Sequence, residues 1–193
     1  MTTIATFAQR PIEAQIANGA VSQDSVCTTQ EDETEVFAAV LKEKALPQVP
    51  LVLVTTTEAT DGNVDHASQS LAIGGHKLPS ELRDGFKAIN KSSCIIAPFA
   101  GIKNLSFISE AEKDRLLLAG TRDIQKRYGK RALLIRFSRA AFNAEKNLAL
   151  LHVSVGTDQN TTGGILYLLE RKDGVWLITT KVETTILSKP ARP

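Results

Sequence analysis

The stretch from Gly164 to Ile186, GILYLLERKDGVWLITTKVETTI, decides the fold. Two runs rich in Leu, Ile, Val, Thr and aromatics flank Asp173-Gly174. Asp-Gly in a two-residue loop supplies the positive φ angles of a type I′ hairpin turn. Pairing Lys172 with Val175 then aligns Leu169 with Ile178, Tyr167 with Thr180 and Ile165 with Val182 on one face. The other face aligns Glu170 with Leu177, Leu168 with Thr179 and Leu166 with Lys181. The first face makes the better core. The second retains Leu166, Leu168 and Leu177, so the sheet needs cover on both sides: helices on one, and a loop, the N-terminal arm or a second copy of the chain on the other. A homodimer or an interaction surface is expected on that ground.

Towards the N-terminus the same β pattern recurs in Ala132–Ser138 and Leu148–Val155, ahead of Ile165–Arg171 and Val175–Ile186. The segments Asn143–Asn147 and Gly156–Gly164 are turn-prone. About four strands in succession predict a curled antiparallel meander. Ahead of it the period is helical. Ser109 and Glu112 form a capping box that opens a helix reaching about Leu118, and a second helix runs from Thr121 to Tyr128, ending at Gly129. Leu82, Phe86 and Ile89 predict a helix near 79–91, with Pro79 in its first turn. Leu51-Val52-Leu53-Val54, bounded by Pro50 and by Thr55, reads as a strand buried on both faces. Thr29-Gln30-Glu31-Asp32 reads as a capping box opening a helix over 30–45, with Val36, Phe37, Val40 and Leu41 as its apolar stripe. The fold class is α+β, N-terminal helices packed on the meander, with residues 1–28 an irregular arm, 29–187 one domain and 188–193 a flexible tail.

Composition sets the outer limits. A chain of 193 residues with 42% hydrophobic content fills one domain core. With 23 basic and 21 acidic residues the net charge is +2, too small an electrostatic footprint for nucleic acid. No run of about 18 apolar residues exists, so membrane insertion is not expected. Thr6-Phe7-Ala8 before Gln9 has the form of a signal-cleavage site, and an ordinary irregular start is the alternative. Periplasmic or secreted and cytoplasmic locations both stay open. Cys27 and Cys94 fit neither a zinc knuckle nor a C-x-x-C redox pair. In an exported protein they would form a disulfide; in a cytosolic one they would be small buried hydrophobes.

Four polar residues are candidates for a pocket or binding site. His152, mid-strand beside Leu148, Leu150 and Ser154, suits a general base at a pocket floor or a satisfied core histidine. Arg136 alternates with Ile135 and Phe137 and so points to the opposite face from them. Arg139, at a strand end near Asn143, has the planar fork that clamps an anion or ties down a hairpin. Ser138 has no nucleophile-elbow context. Gly74-Gly75 and Gly163-Gly164 lack phosphate-loop surroundings. His66 and His76, with Asp61 and Asp65, lack metal-ligand spacing, so neither metal nor cofactor is expected. The basic run Lys126–Arg131 suits a solvated helix end, and Trp176 and Tyr167 suit the core.

The C-terminal half resembles a family of uncharacterised bacterial proteins, many of them exported. The resemblance is carried by Ser138-Arg139-x-x-Phe142-Asn143, by Ala149-Leu150-x-x-Val153, and by Gly164-x-x-Tyr167-Leu168-Leu169-Glu170-Arg171-Lys172-Asp173-Gly174-x-Trp176. Weaker similarity at Glu35-Val36-Phe37-x-x-Val40-Leu41 and Phe86-x-x-x-Asn90 extends it over most of residues 30–185. It implies export and assigns no catalytic residue. The order of elements also looks like the cone-shaped folds of the nuclear-transport-factor and ketosteroid-isomerase type, an architectural likeness that implies a pocket without choosing its chemistry. The leading expectation is a non-enzymatic module binding a small molecule, a peptide or a second copy of itself. The alternatives are a small cone-fold enzyme with His152 as base, and a structural factor of the envelope or the medium.

Overall fold

The structure, a computed structural model, describes residues 27–45, 49–61, 64–67, 69–73, 76–119, 121–156 and 162–185. The expected tail, and the expected arm as far as residue 26, lie outside them. The first helix, α1 (Glu31–Lys44), buries Val36, Phe37, Val40 and Leu41, the stripe read from the sequence. Its capping box stands one residue later than expected: the Gln30 N–H donates to Glu33 Oε2 at 2.9 Å. Thr29 is engaged elsewhere, its N–H donating to the Ile95 carbonyl and its Oγ1 accepting from the Ala97 N–H at 2.9 Å. The last two residues assigned to the arm therefore belong to the body. Thr28 forms a parallel bridge with Ile95, and Cys27 is bonded to Cys94.

The strands are β1 (Leu51–Val54), β2 (Ala72–Ile73), β3 (His76–Lys77), β4 (Leu105–Ile108), β5 (Leu133–Phe137), β6 (Ala141–Phe142), β7 (Leu148–Gly156), β8 (Thr162–Lys172) and β9 (Val175–Thr185). Between them lie α2 (Val64–Ala67), α3 (Ser80–Ile89), α4 (Glu110–Ala119) and α5 (Thr121–Tyr128). The fold is α+β, with one open seven-stranded sheet in the order β4-β1-β5-β7-β8-β9, β6 pairing with β7, and a separate β2–β3 hairpin among the described residues.

The self-standing four-stranded meander and the cone need correction. β5, β7, β8 and β9 do run antiparallel in succession, but β1 pairs parallel with β5 on one side and with β4 on the other. The reason is that β1 is apolar at every position and must be covered on both faces and flanked on both edges. β4 carries no alternation a sequence pattern would show: Leu105 and Ser106 are half-buried, Phe107 is exposed and Ile108 is buried. Residues 58–77 hold α2 and the β2–β3 hairpin.

The hairpin register holds for four pairs and then slips. Asp173 and Gly174 have φ of 50° and 78°, as a type I′ turn requires. Lys172 pairs with Val175 and Leu169 with Ile178 as expected, but Leu168 faces Thr180 rather than Thr179, leaving Thr179 as the extra residue of a β-bulge. Beyond it Tyr167 faces Lys181, Leu166 faces Val182 and Gly164 faces Thr184. Without the bulge, Lys181 would stand against Leu166 in a buried layer. With it, Lys181 reaches Glu43 at 2.5 Å and Val182 takes the apolar place.

Helices cover both faces. On the first, α1 packs on Leu51, Leu53, Ile135, Phe137, Leu151, Val153, Tyr167 and Leu169, with the Phe37 and Phe137 rings stacked at 4.5 Å. On the second, α2 and α3 cover Leu150, Leu166 and Leu168 through Val64, Leu82 and Phe86, while α4 and α5 cover Val52 and Val54 through Leu116 and Ile124. The expectation that the second face awaits a partner copy therefore loses its ground at Leu166 and Leu168. Leu177 is parted from them and stands 49% exposed.

Candidate functional site

Between the two apolar patches of the second face runs a polar seam. Cross-strand pairing places Arg136, Ser154, Gly164 and Thr184 in one row across β5, β7, β8 and β9, and His152 lies one row away on the same face. Glu58 reaches over them from the segment after β1, anchored by its N–H on the Phe137 carbonyl at 2.7 Å. Its Oε1 lies 2.7 Å from His152 Nδ1, and the Ser154 hydroxyl lies within 2.9 Å of both its oxygens. His152 Nε2 lies 3.0 Å from Thr184 Oγ1. With Nδ1 donating to the carboxylate, a neutral ring accepts the Thr184 hydroxyl proton. Gly164 is required here, because a Cβ would collide with Thr184 Oγ1 and His152 Nε2.

This carboxylate–imidazole–hydroxyl chain has the connectivity of a proton relay. Its placement is that of a core network. His152 is 0% exposed, and its backbone N–H donates to Ser138 Oγ at 2.9 Å, so every polar group of the residue is engaged inside the protein. Of the two readings of His152, the satisfied core histidine is the one that its burial and hydrogen bonds match.

Arg136 points to the second face, as its alternation implied, and its Nη2 donates to Glu110 Oε1 at 3.3 Å while its buried Nε has no partner among the described residues. Glu110 is also bonded to Thr56 Oγ1 and to Lys113. Burial pushes the Glu110 carboxyl up, but the Lys113 and Thr56 hydrogen bonds and the Arg136 charge outweigh it and hold the group below its ordinary value of 4.5.

Arg139 does clamp an anion, and the anion belongs to the protein. Its Nε and Nη2 donate to Glu33 Oε1 and Oε2 at 3.2 and 3.0 Å, and Glu33 also accepts from the Ala140 and Gln30 N–H groups. Asn143 closes the turn between β6 and β7, accepting from the Asn147 and Leu148 N–H groups and donating to Asn147 Oδ1 and Glu145. Both line a surface groove of about 300 Å³, and the Glu33 contact matches the reading of Arg139 as a group that ties the chain down. The Cys27–Cys94 disulfide closes a sequence separation of 67 residues and fastens the segment ahead of α1 beside the residues that follow β1, where the Cys94 N–H donates to Thr57 Oγ1 at 2.8 Å.

A second groove, of about 470 Å³, has a different character. It lies between α1 and the beginning of β9 and is lined by Glu35, Ala38, Ala39, Lys42 and residues 174–178. Its wall of small alanines keeps the helix surface low. Val175 and Leu177 stand 59% and 49% exposed there, beside Trp176, whose buried Nε1 has no hydrogen-bond partner among the described residues. Glu35 is engaged with Arg171 at 3.2 Å. Trp176 is 5% exposed, in keeping with the core position expected of it, and Leu177 lies on the opposite face of the strand. No local pattern brings Trp176 into the layer under α1.

Among the described residues no helix is long and apolar enough to cross a membrane. No protein-family model, no curated protein and no solved structure matches the chain.

Proposed function

We propose that this chain is a non-enzymatic binding module whose recognition surface is the groove between α1 and the start of β9. The observation that carries the reading is the exposure of Val175 and Leu177 beside an apolar groove on a strand at the edge of the sheet. Exposed large apolar side chains that border a concavity lower the free energy of a bound apolar group, and the low alanine wall leaves room for one. The rival enzymatic reading draws no support from a histidine whose ring nitrogens are both taken up inside the core. An exported setting is part of the proposal, supported by the disulfide and by the resemblance to exported proteins.

Trp176 is the chain's one tryptophan, so its emission reports on the groove directly. Titration with the apolar anionic dye anilinonaphthalene sulfonate is expected to quench that emission. Leu177→Asp should weaken the dye about tenfold, about 1.4 kcal/mol. An unchanged emission, or equal affinity for wild type and Leu177→Asp, would overturn the proposal.

A further inference from the structure

Resting on that groove as a binding surface, we infer that its occupant is an extended peptide that adds to the edge of β9 as a further strand. β9 ends the strand order of the main sheet, so no described strand pairs with its outer side. In a two-residue hairpin the residues flanking the turn exchange both backbone bonds, and the bonding direction then alternates along the strand. Val175 and Leu177 therefore point their N–H and C=O groups at β8, and Trp176 and Ile178 point theirs outward, along the groove. An apolar small molecule satisfies none of these groups, whereas a peptide backbone satisfies them in sequence.

The two halves of β9 differ as a docking strand and a protected strand do. After the bulge at Thr179 the exposed positions are Lys181 and Glu183, charges of the kind that discourage edge pairing. Before it, Val175–Ile178 carries no charge and no proline, over roughly 13 Å of strand. A segment of that length seats four residues of a partner. Side chains at alternate positions of the peptide would meet Ala38 and Ala39 on one side and extend the Val175–Leu177 surface on the other. The charge at the α1 side is also one-sided. Glu35 is tied to Arg171, whereas Lys42 is exposed with no ion pair among the described residues, so the groove favours a peptide with a carboxylate at the Ile178 end.

The test uses a capped hexapeptide of alternating Val and Thr carrying one Asp, together with two versions N-methylated at alternate residues in the two possible frames. One frame removes the amides that face β9, and the other removes those that face away. Strand addition predicts that the parent peptide binds and slows hydrogen exchange at the Trp176 and Ile178 amides. One methylated frame should lose at least about tenfold in affinity while the other keeps it, and Lys42→Glu should weaken binding several-fold. Equal binding of both methylated frames would overturn strand addition. So would failure of the peptide where the dye binds and Leu177→Asp weakens it, and in both cases the groove itself would still stand. If neither peptide nor dye binds, both readings fall.

Discussion

On one face of the main sheet α1 lies over an unbroken apolar layer that runs from Leu51 through Phe137 to Leu169. On the other face, α2 and α3 cover one apolar patch and α4 and α5 another, and Glu58, His152, Ser154 and Thr184 run between them. The first arrangement is held by close packing, which is non-directional and accommodates volume-conserving exchange. The second is held by hydrogen bonds of fixed direction, and its members are costly to leave unpaired. The difference teaches that the apolar face supplies most of the stability, and that the seam fixes how β1, β7 and β9 sit relative to one another.

Removing bulk from the continuous face is the severest way to break the comparison. Phe137→Ala takes away the ring stacked on Phe37 and should cost about 3–5 kcal/mol in urea unfolding. A loss below about 1 kcal/mol would mean that the face is not the main source of stability.

The seam comes next. Glu58→Ala leaves His152 Nδ1 and the Ser154 hydroxyl without their acceptor and should cost about 2–4 kcal/mol, with Glu58→Gln costing less because it keeps one acceptor oxygen. If the two variants unfold at the same urea concentration as wild type, the seam contributes nothing to stability and the contrast drawn above fails.

The smallest effect lies at the seam's outer end. Glu110 is held below its ordinary value of 4.5, so its ionised form favours the folded state above that pH and the contribution is lost as the pH falls through and below it. Glu110 is 39% exposed, which limits the effect to under about 1 kcal/mol. The stability gap between wild type and Glu110→Gln should be constant from neutral pH down to about 5.5 and close below about 4.5. A gap that widens in acid would reverse the assignment.

Much of the fold was legible because local chemistry wrote it. Asp173-Gly174 admits few backbone conformations other than its turn, and Gly129, at φ 105°, ends α5 as a glycine at that position should. Ser109 Oγ accepts the Glu112 N–H at 3.1 Å, as the second capping box required. The errors fall where a distant contact decided. Thr29 was a sound N-cap by type, yet it is drawn off by Ile95 and Ala97. The bulge at Thr179 answers the burial of Leu166, a demand that two strands read as an isolated pair do not reveal.

Of the candidate site, Arg136, Arg139, Asn143 and His152 were picked by residue type, and type could not show that each finds its partners within the chain. Glu33 is 106 positions from Arg139 and Glu58 is 94 from His152. No local pattern links residues so far apart.

The sequence by itself determined α1, α3, α4 and α5, the strands β1, β5, β7, β8 and β9 and the central turn, because hydrophobic period, capping and positive φ are properties of neighbouring residues. Only the tertiary structure decided that β1 would join β5 in parallel, that Leu166 and Leu168 would be covered from within, and that Val175 and Leu177 would border a groove under α1. Those outcomes depend on which apolar surfaces find each other and which polar groups must be paired when they do, and both are settled by the whole chain at once.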